Sequence, residues 1–171
     1  MPTNFYMFFI SALIPLIVGM IYYSEPLFGK AWRNLNGFSK EDLKKGNPLS
    51  IFGGSYLLCL FLSLMVSNLV IHQGHTLQMM LPSGTTELPD DLKIAFMDLM
   101  AKYGDNHRSF GHGALHGAFG GLMLALPVIG VNALFERKGW KYIFIHAGYW
   151  VITLTLMGGL LCSTLKYAPL T

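Results

Sequence analysis

Five of the six histidines in this 171-residue chain fall in two stretches, residues 72–75 and 107–116. His112 and His116 are four residues apart, a spacing that puts two imidazoles on one face of a helix, where both can ligate one metal ion. The stretch 72–75 adds two imidazoles at the end of a different apolar segment. These histidines could therefore supply the ligands of a metal or haem site, and the candidates are His112, His116, His72 and His75. The alternative is that these imidazoles only bond backbone carbonyls or lipid headgroups at a membrane surface.

Four long apolar stretches must position these histidines: residues 5–23, 49–72, 111–135 and 142–165. None of them contains Asp, Glu, Lys or Arg. About 20 apolar residues are what a helix needs to cross a hydrocarbon core of about 30 Å. Charged residues make up 12% of the chain, against about 25% in soluble proteins. We therefore predict an all-α membrane protein in which residues 1–171 form a single domain with four transmembrane helices.

The basic residues predict an orientation for these helices. The loop after the first stretch holds five Lys or Arg, and the loop after the third holds three, of twelve in the whole chain. Basic loops stay in the cytoplasm, so both termini and the loop 73–110 are expected on the periplasmic side of a bacterial inner membrane. Apolar residues recur at helical spacing after Pro89, which predicts a short amphipathic helix in that loop. The net charge of +3 is too small to indicate nucleic acid.

The two halves of the chain resemble each other weakly. Leu-Ser-Leu-Met at residues 62–65 recurs as Leu-Thr-Leu-Met at 154–157, and a proline lies within each of the first and third apolar stretches. This indicates two helical hairpins related as a parallel repeat, an arrangement found in transporters and in plain duplicated bundles. Three glycines spaced four apart predict close helix packing, either inside the bundle or across a homodimer: Gly113, Gly117 and Gly121.

Residues 19–32, Gly-Met-Ile-Tyr-Tyr-Ser-Glu-Pro-Leu-Phe-Gly-Lys-Ala-Trp, resemble a segment of the DUF1761 family of small bacterial membrane proteins. A second similarity covers Leu-Phe-Glu-Arg-Lys at 134–138 and Ile-His-Ala-Gly-Tyr at 145–149. The chain departs from the family in carrying the extra acid Glu25 and a longer loop after the second helix, which contains or flanks most of the histidines. The resemblance implies an integral membrane protein with four helices, and it implies no activity.

The residues that carry this resemblance fall at the predicted cytoplasmic ends of the helices, near His146. An ionisable side chain inside a membrane helix is a functional candidate by default. The alternative is a structural cluster in which His146 bonds Asn132 or Tyr22. The candidate cytoplasmic site contains Tyr23, Lys30, Trp32, Asn132, Glu136, Arg137, His146 and Tyr149.

No nucleotide-binding glycine loop and no nucleophile elbow occurs, so no catalytic residue is assigned. The sequence favours a non-enzymatic accessory or scaffold subunit, in a homo-oligomer or with other membrane subunits, with the lipid bilayer around it and no cofactor. One alternative is a small transporter or channel, with a water-lined cavity between the hairpins that reaches Glu136 and His146. The other is metal or haem binding by the histidines of the outer face.

Overall fold

The computed structural model describes residues 2–167, and helices dominate this part of the chain. A 3-10 turn, Asp42–Lys44, lies in the first long connection. The π-helical turn Leu49–Gly53 precedes one long helix, and a second π-helical turn, Gly121–Ala125, lies within another. The α-helices are α1 Tyr6–Ser11, α2 Ile14–Tyr22, α3 Gly29–Asn36, α4 Gly54–Val70, α5 His72–Met80, α6 Asp90–Tyr103, α7 Phe110–Gly120, α8 Leu126–Phe135 and α9 Trp140–Thr164.

Within residues 2–167, three continuous helical segments are long and apolar enough to cross a membrane: Leu49–Val70, Phe110–Phe135 and Trp140–Thr164. The first predicted stretch forms a shorter apolar helix, Tyr6–Tyr22, which is interrupted between α1 and α2. Large apolar side chains cover the outside of the helices, and Phe135 is 88% exposed. Such a surface is unfavourable in water and suits contact with lipid.

Both prolines of the apolar stretches lie in the first turn of a helical segment. Pro15 follows the interruption after α1, and Pro127 follows the π-helical turn Gly121–Ala125. Proline has no backbone N–H to donate and its ring collides with the preceding turn, so it favours a place where the hydrogen-bond ladder is already broken. The expected bends therefore take the form of a short break in one helix and a π-helical turn in the other.

The closest helix packing in the described chain joins α7 to α9. Gly113 lies against the backbone of Gly158, and Gly117 lies against the backbone of Leu154. Gly121, which opens the π-helical turn, lies against Val151 in the same way. A Cβ atom on any of the three glycines would collide with backbone atoms of α9, so the glycine stripe is occupied by a neighbouring helix of the same chain.

Segments outside the long helices define the two ends of the molecule. At one end, Thr3 N donates to Lys166 O (2.7 Å) and Asn4 Nδ2 to Thr164 O (2.7 Å), so α1 starts beside the end of α9. At the other end, the ring of Tyr22 contacts that of Tyr149 on α9 (5.9 Å between centroids). The first end carries the two helices of the loop 73–110: the expected helix, α6, and most of α5, which the sequence did not indicate.

Candidate metal centre

The start of α7 positions two of the histidines. The side chain of Ser109 accepts a hydrogen bond from the backbone N of His112 (3.2 Å) and so caps the helix. A serine cap satisfies one of the free N–H groups of the first turn and fixes where the helix begins. His112 and His116 then lie one turn apart on one face, with ring centroids 4.5 Å apart.

A break between α4 and α5 brings in the third histidine. Ile71 adopts an extended conformation, so the chain leaves the direction of α4 and starts α5 at His72. The imidazole of His72 then lies 5.1 Å from the rings of both His112 and His116. Two segments that are 40 residues apart in sequence therefore meet through three imidazoles.

The nitrogen atoms of these rings converge closely. One ring nitrogen from each of His72, His112 and His116 lies within 4.8 Å of the other two, and each ring is partly buried. The Nε2 atoms of His72 and His112 are 2.9 Å apart, so one donates a hydrogen bond to the other in complementary neutral tautomers. Burial, and then the neighbouring imidazoles, lower the pKa of His72, which favours the neutral form that binds metals.

His107 adds a fourth ring beside this trio. Its centroid lies 4.8 Å from that of His112 and 6.2 Å from that of His72. Its backbone has φ of 62°, a left-handed conformation that costs free energy for a residue other than glycine. Cys162 Sγ contacts the carbonyl of this residue at 3.2 Å, so α9 holds the turn in place. His107 was absent from the predicted set because a turn residue has no helical spacing to mark it.

His75, the remaining predicted ligand, lies outside this group. It is exposed on α5, one turn beyond His72, and it does not belong to the converging set. We call the group His72, His107, His112 and His116 the histidine cluster, and its end of the molecule the histidine end.

The three converging nitrogens match the ligand type of a divalent transition metal. Zn²⁺ binds imidazole nitrogen at about 2.0–2.1 Å, so tetrahedral ligands lie roughly 3.3 Å from one another. The Nε2 atoms of His72 and His112 are 2.9 Å apart, and the three converging nitrogens lie within 4.8 Å of one another, so their separations are of this order. Haem with two axial imidazoles fits poorly, because the macrocycle would have to lie between rings whose centroids are only 4.5–5.1 Å apart.

The opposite end holds a cluster of aromatic rings around His146, which we call the tyrosine end. Tyr23 Oη and His146 Nδ1 form a hydrogen bond of 3.1 Å, and the Tyr23 ring also contacts those of Trp32 and Tyr149. Tyr149 Oη donates to the carbonyl of Pro15, in the first turn of α2, at 2.9 Å. Each phenol therefore has a partner inside the protein.

His146 is packed differently from the histidines at the other end. Its partner is Tyr23, where the sequence had suggested Asn132 or Tyr22, and its Nε2 is buried with no partner among residues 2–167. Four residues of the predicted cytoplasmic site are exposed and do not join this cluster: Lys30, Asn132, Glu136 and Arg137. The ion pair nearby is between Glu25 and Arg33, and its hydrogen bond lowers the pKa of Glu25.

These features define a class: an all-helical protein with three helices able to cross a membrane and a converging histidine group at one end. The sequence profile of DUF1761, described as a protein of unknown function, matches residues 6–162. The chain therefore belongs to the DUF1761 family, as its sequence motifs indicated. Searches of curated proteins and of solved structures found no match.

Proposed function

We propose that this protein is an integral membrane protein that binds one divalent transition-metal ion through His72, His112 and His116. The observation that carries the proposal is the convergence of three imidazole nitrogens within 4.8 Å, from two segments that meet only in the folded chain. Imidazole is a ligand for Zn²⁺, Cu²⁺ and Ni²⁺, and three protein ligands leave a coordination position for water or a substrate. No catalytic role is assigned to that position.

The histidine cluster also has the surroundings that a metal centre needs. The helix cap at Ser109 and the break at Ile71 set the backbone positions of His112 and His72 without any metal. Cys162 holds the turn that carries His107, whose ring contacts that of His112. Such outer contacts orient ligating rings, and losing them typically costs a metal site about 10–100-fold in affinity.

The contacts give less support to two other functions, an oligomeric scaffold and a transporter. The glycine stripe, which favoured an oligomeric scaffold, is filled by α9 of the same chain. A transporter with a path between the hairpins would need water to reach His146, and that ring packs against Tyr23 and Tyr142. Metal binding, in contrast, has its ligands already assembled.

We further propose that the chain crosses the inner membrane four times, with both termini and the histidine end outside. Helix Tyr6–Tyr22 supports a fourth crossing, although it is the shortest of the four segments. It starts beside Thr164 and ends beside Tyr149, and so runs along most of α9. Basic residues in the two loops of the opposite end support the orientation.

The test is metal binding by the full chain purified in mild detergent and freed of metal with a chelator. We expect Zn²⁺ to bind in competition with a chromophoric chelator at one ion per chain. We also expect Co²⁺ to give a visible absorption band typical of four-coordinate nitrogen ligation. His112→Ala and His116→Ala each remove a ligand, so each is expected to weaken Zn²⁺ binding by more than the roughly 10–100-fold caused by losing an outer contact.

His75→Ala is the matched control, because it removes an exposed imidazole from the same end of the molecule. Its affinity and stoichiometry are expected to equal those of the unchanged protein. Equal Zn²⁺ affinity in the His112→Ala variant and the unchanged protein would refute the proposed site. Binding that is lost equally in His75→Ala and His112→Ala would also refute it, since that pattern indicates nonspecific surface histidines.

A further inference from the structure

A cavity of about 800 Å³ opens at the histidine end, separate from the histidine cluster. It lies between α5, α6 and the segment that follows α9. Most of its wall is apolar, from Leu77 on α5, from Phe96, Met97 and Met100 on α6, and from Leu165. Ligand sites in proteins have volumes of roughly 300–1,000 Å³ and mainly apolar walls with a few polar groups, and this cavity has both properties.

The charged groups of the cavity lie on two segments that Arg108 joins, the turn after α6 and the residues after α9. Among the described residues of its wall, two are basic, Arg108 and Lys166, and one is acidic, Asp105. Arg108 has no ion-pair partner within residues 2–167, so Asp105 does not neutralise it by direct contact. These charged groups therefore carry a net charge of about one positive unit at neutral pH.

Two contacts fix the position of the Arg108 guanidinium group and leave one of its nitrogens able to donate a further hydrogen bond. Its Nη2 donates to the carbonyl of Leu165, which ends α9, and its Cζ lies 6.0 Å from the ring centroid of Tyr167. Its Nη1 is buried and has no hydrogen-bond partner among residues 2–167. A buried guanidinium nitrogen without an acceptor is costly, and an anion close to this group would offset that cost.

Hydrogen bonds fix the position of the segments that form the cavity wall near the charged groups. Gln73 Nε2 donates to Gly104 O at 2.7 Å, which fixes the end of α6 against α5. Lys166 N donates to Asn4 Oδ1 at 2.8 Å, and its carbonyl accepts from Thr3 N at 2.7 Å. The cavity is therefore preformed, and a ligand need not pay the entropy of ordering its walls.

We propose that this cavity binds an acyl chain with an anionic headgroup, whose carboxylate or phosphate lies at Arg108 and Lys166. The apolar side chains of α5 and α6 would cover the chain, and the cavity lies at the end of a membrane-crossing helix, where such molecules are abundant. Free fatty acids and anionic phospholipids share this chemistry. Nothing in the argument depends on a metal in the histidine cluster.

The test uses the full chain in mild detergent, with metal removed. Native mass spectrometry is run with three probes: oleic acid, phosphatidylglycerol and zwitterionic phosphatidylcholine. We expect one molecule of an anionic probe per chain and at least tenfold less phosphatidylcholine. Oleic acid bound in preference to phosphatidylglycerol indicates a free fatty acid site, and the reverse preference indicates a membrane lipid.

Variants identify the place of binding. Lys166→Gln keeps the backbone contacts of residue 166 and should lower the affinity for the anionic probe about threefold to tenfold. Arg108→Lys keeps the charge but loses the forked donor set, and should lower it by a similar factor. Met100→Trp fills the apolar part and should abolish binding of either anionic probe.

Lys102→Gln is the matched control, because Lys102 is a cation of α6 that does not line the cavity. It should bind the anionic probes as the unchanged protein does. The proposal is overturned by equal binding of the three probes. It is also overturned if Lys166→Gln and Met100→Trp, shown to be folded by circular dichroism, bind the anionic probes unchanged.

Discussion

The two ends of α9 each hold histidine, and they use it in opposite ways. At the histidine end, ring nitrogens from His72, His112 and His116 converge on one another, and the three residues are only partly buried. At the tyrosine end, His146 bonds Tyr23 and is enclosed by phenol rings. The first arrangement leaves nitrogen atoms available for a ligand, whereas the second uses the imidazole as a packing and hydrogen-bonding group. The same residue type therefore indicates function only when its neighbours are known.

The largest expected difference between the two ends is in thermal stability, measured for each variant with and without Zn²⁺. At about 100 times its dissociation constant, a ligand that binds only the folded state stabilises it by about 2.7 kcal/mol. We expect this gain in the unchanged protein and in His146→Ala, and its loss in His112→Ala. The midpoint of thermal unfolding in detergent measures it. A gain that disappears in His146→Ala would mean that the two ends are not separate sites.

A second variant tests the close packing of α7 against α9, which connects the two ends of the molecule and which we call the seam. In Gly117→Ala the new Cβ would meet the backbone of Leu154, so the helices must move apart. Overpacking of this kind typically costs about 1–3 kcal/mol. Chemical denaturation in detergent should show a loss of that size, together with weaker Zn²⁺ binding because the histidines of α7 shift.

Gly111→Ala is the control for the seam, since it adds the same methyl group to the same helix where nothing lies within 4 Å. Its stability should be unchanged or slightly higher, because alanine favours a helix over glycine. Equal losses in the two variants would show that the effect is not specific to the seam, since helix propensity alone would raise stability in both.

The smallest expected effect concerns the tyrosine end alone. Tyr23→Phe removes the hydroxyl that bonds His146 Nδ1 and leaves that imidazole without a partner. A lost hydrogen bond of this type typically costs about 0.5–1.5 kcal/mol. Unfolding measurements should show that loss with Zn²⁺ affinity unchanged. Tyr6→Phe, at a site that is 61% exposed, should have no effect on either quantity.

The sequence predicted the helices better than it predicted the sites. The long apolar stretches appear as helices, and the spacing after Pro89 correctly indicated α6, because periodicity follows directly from helix geometry. The helix α5 was not predicted, since its composition from His72 to Met80 is mixed and no cap residue marks its start. The break at Ile71 depends on packing, which no local signal reports.

The candidate sites show the same division at the level of single residues. His112 and His116 could be paired from their spacing, because four residues make one turn of a helix. His75 looked equivalent to His72 by that reasoning, and yet it points away on the exposed side of α5. His107 joined the cluster through a left-handed turn, and Tyr23 replaced the suggested partners of His146.

By itself the sequence determined that this chain forms helices long and apolar enough to cross a membrane, its family, and the placing of His112 and His116 on one helix face. These properties depend on composition and on contacts between near neighbours in the chain, which are set by the free energy of burying apolar side chains in lipid and by helix geometry. Only the tertiary structure decided that His72 completes the group, that α9 fills the glycine stripe and that Arg108 lines a cavity. Those contacts join residues 30 to 57 positions apart, and their geometry depends on how the helices pack.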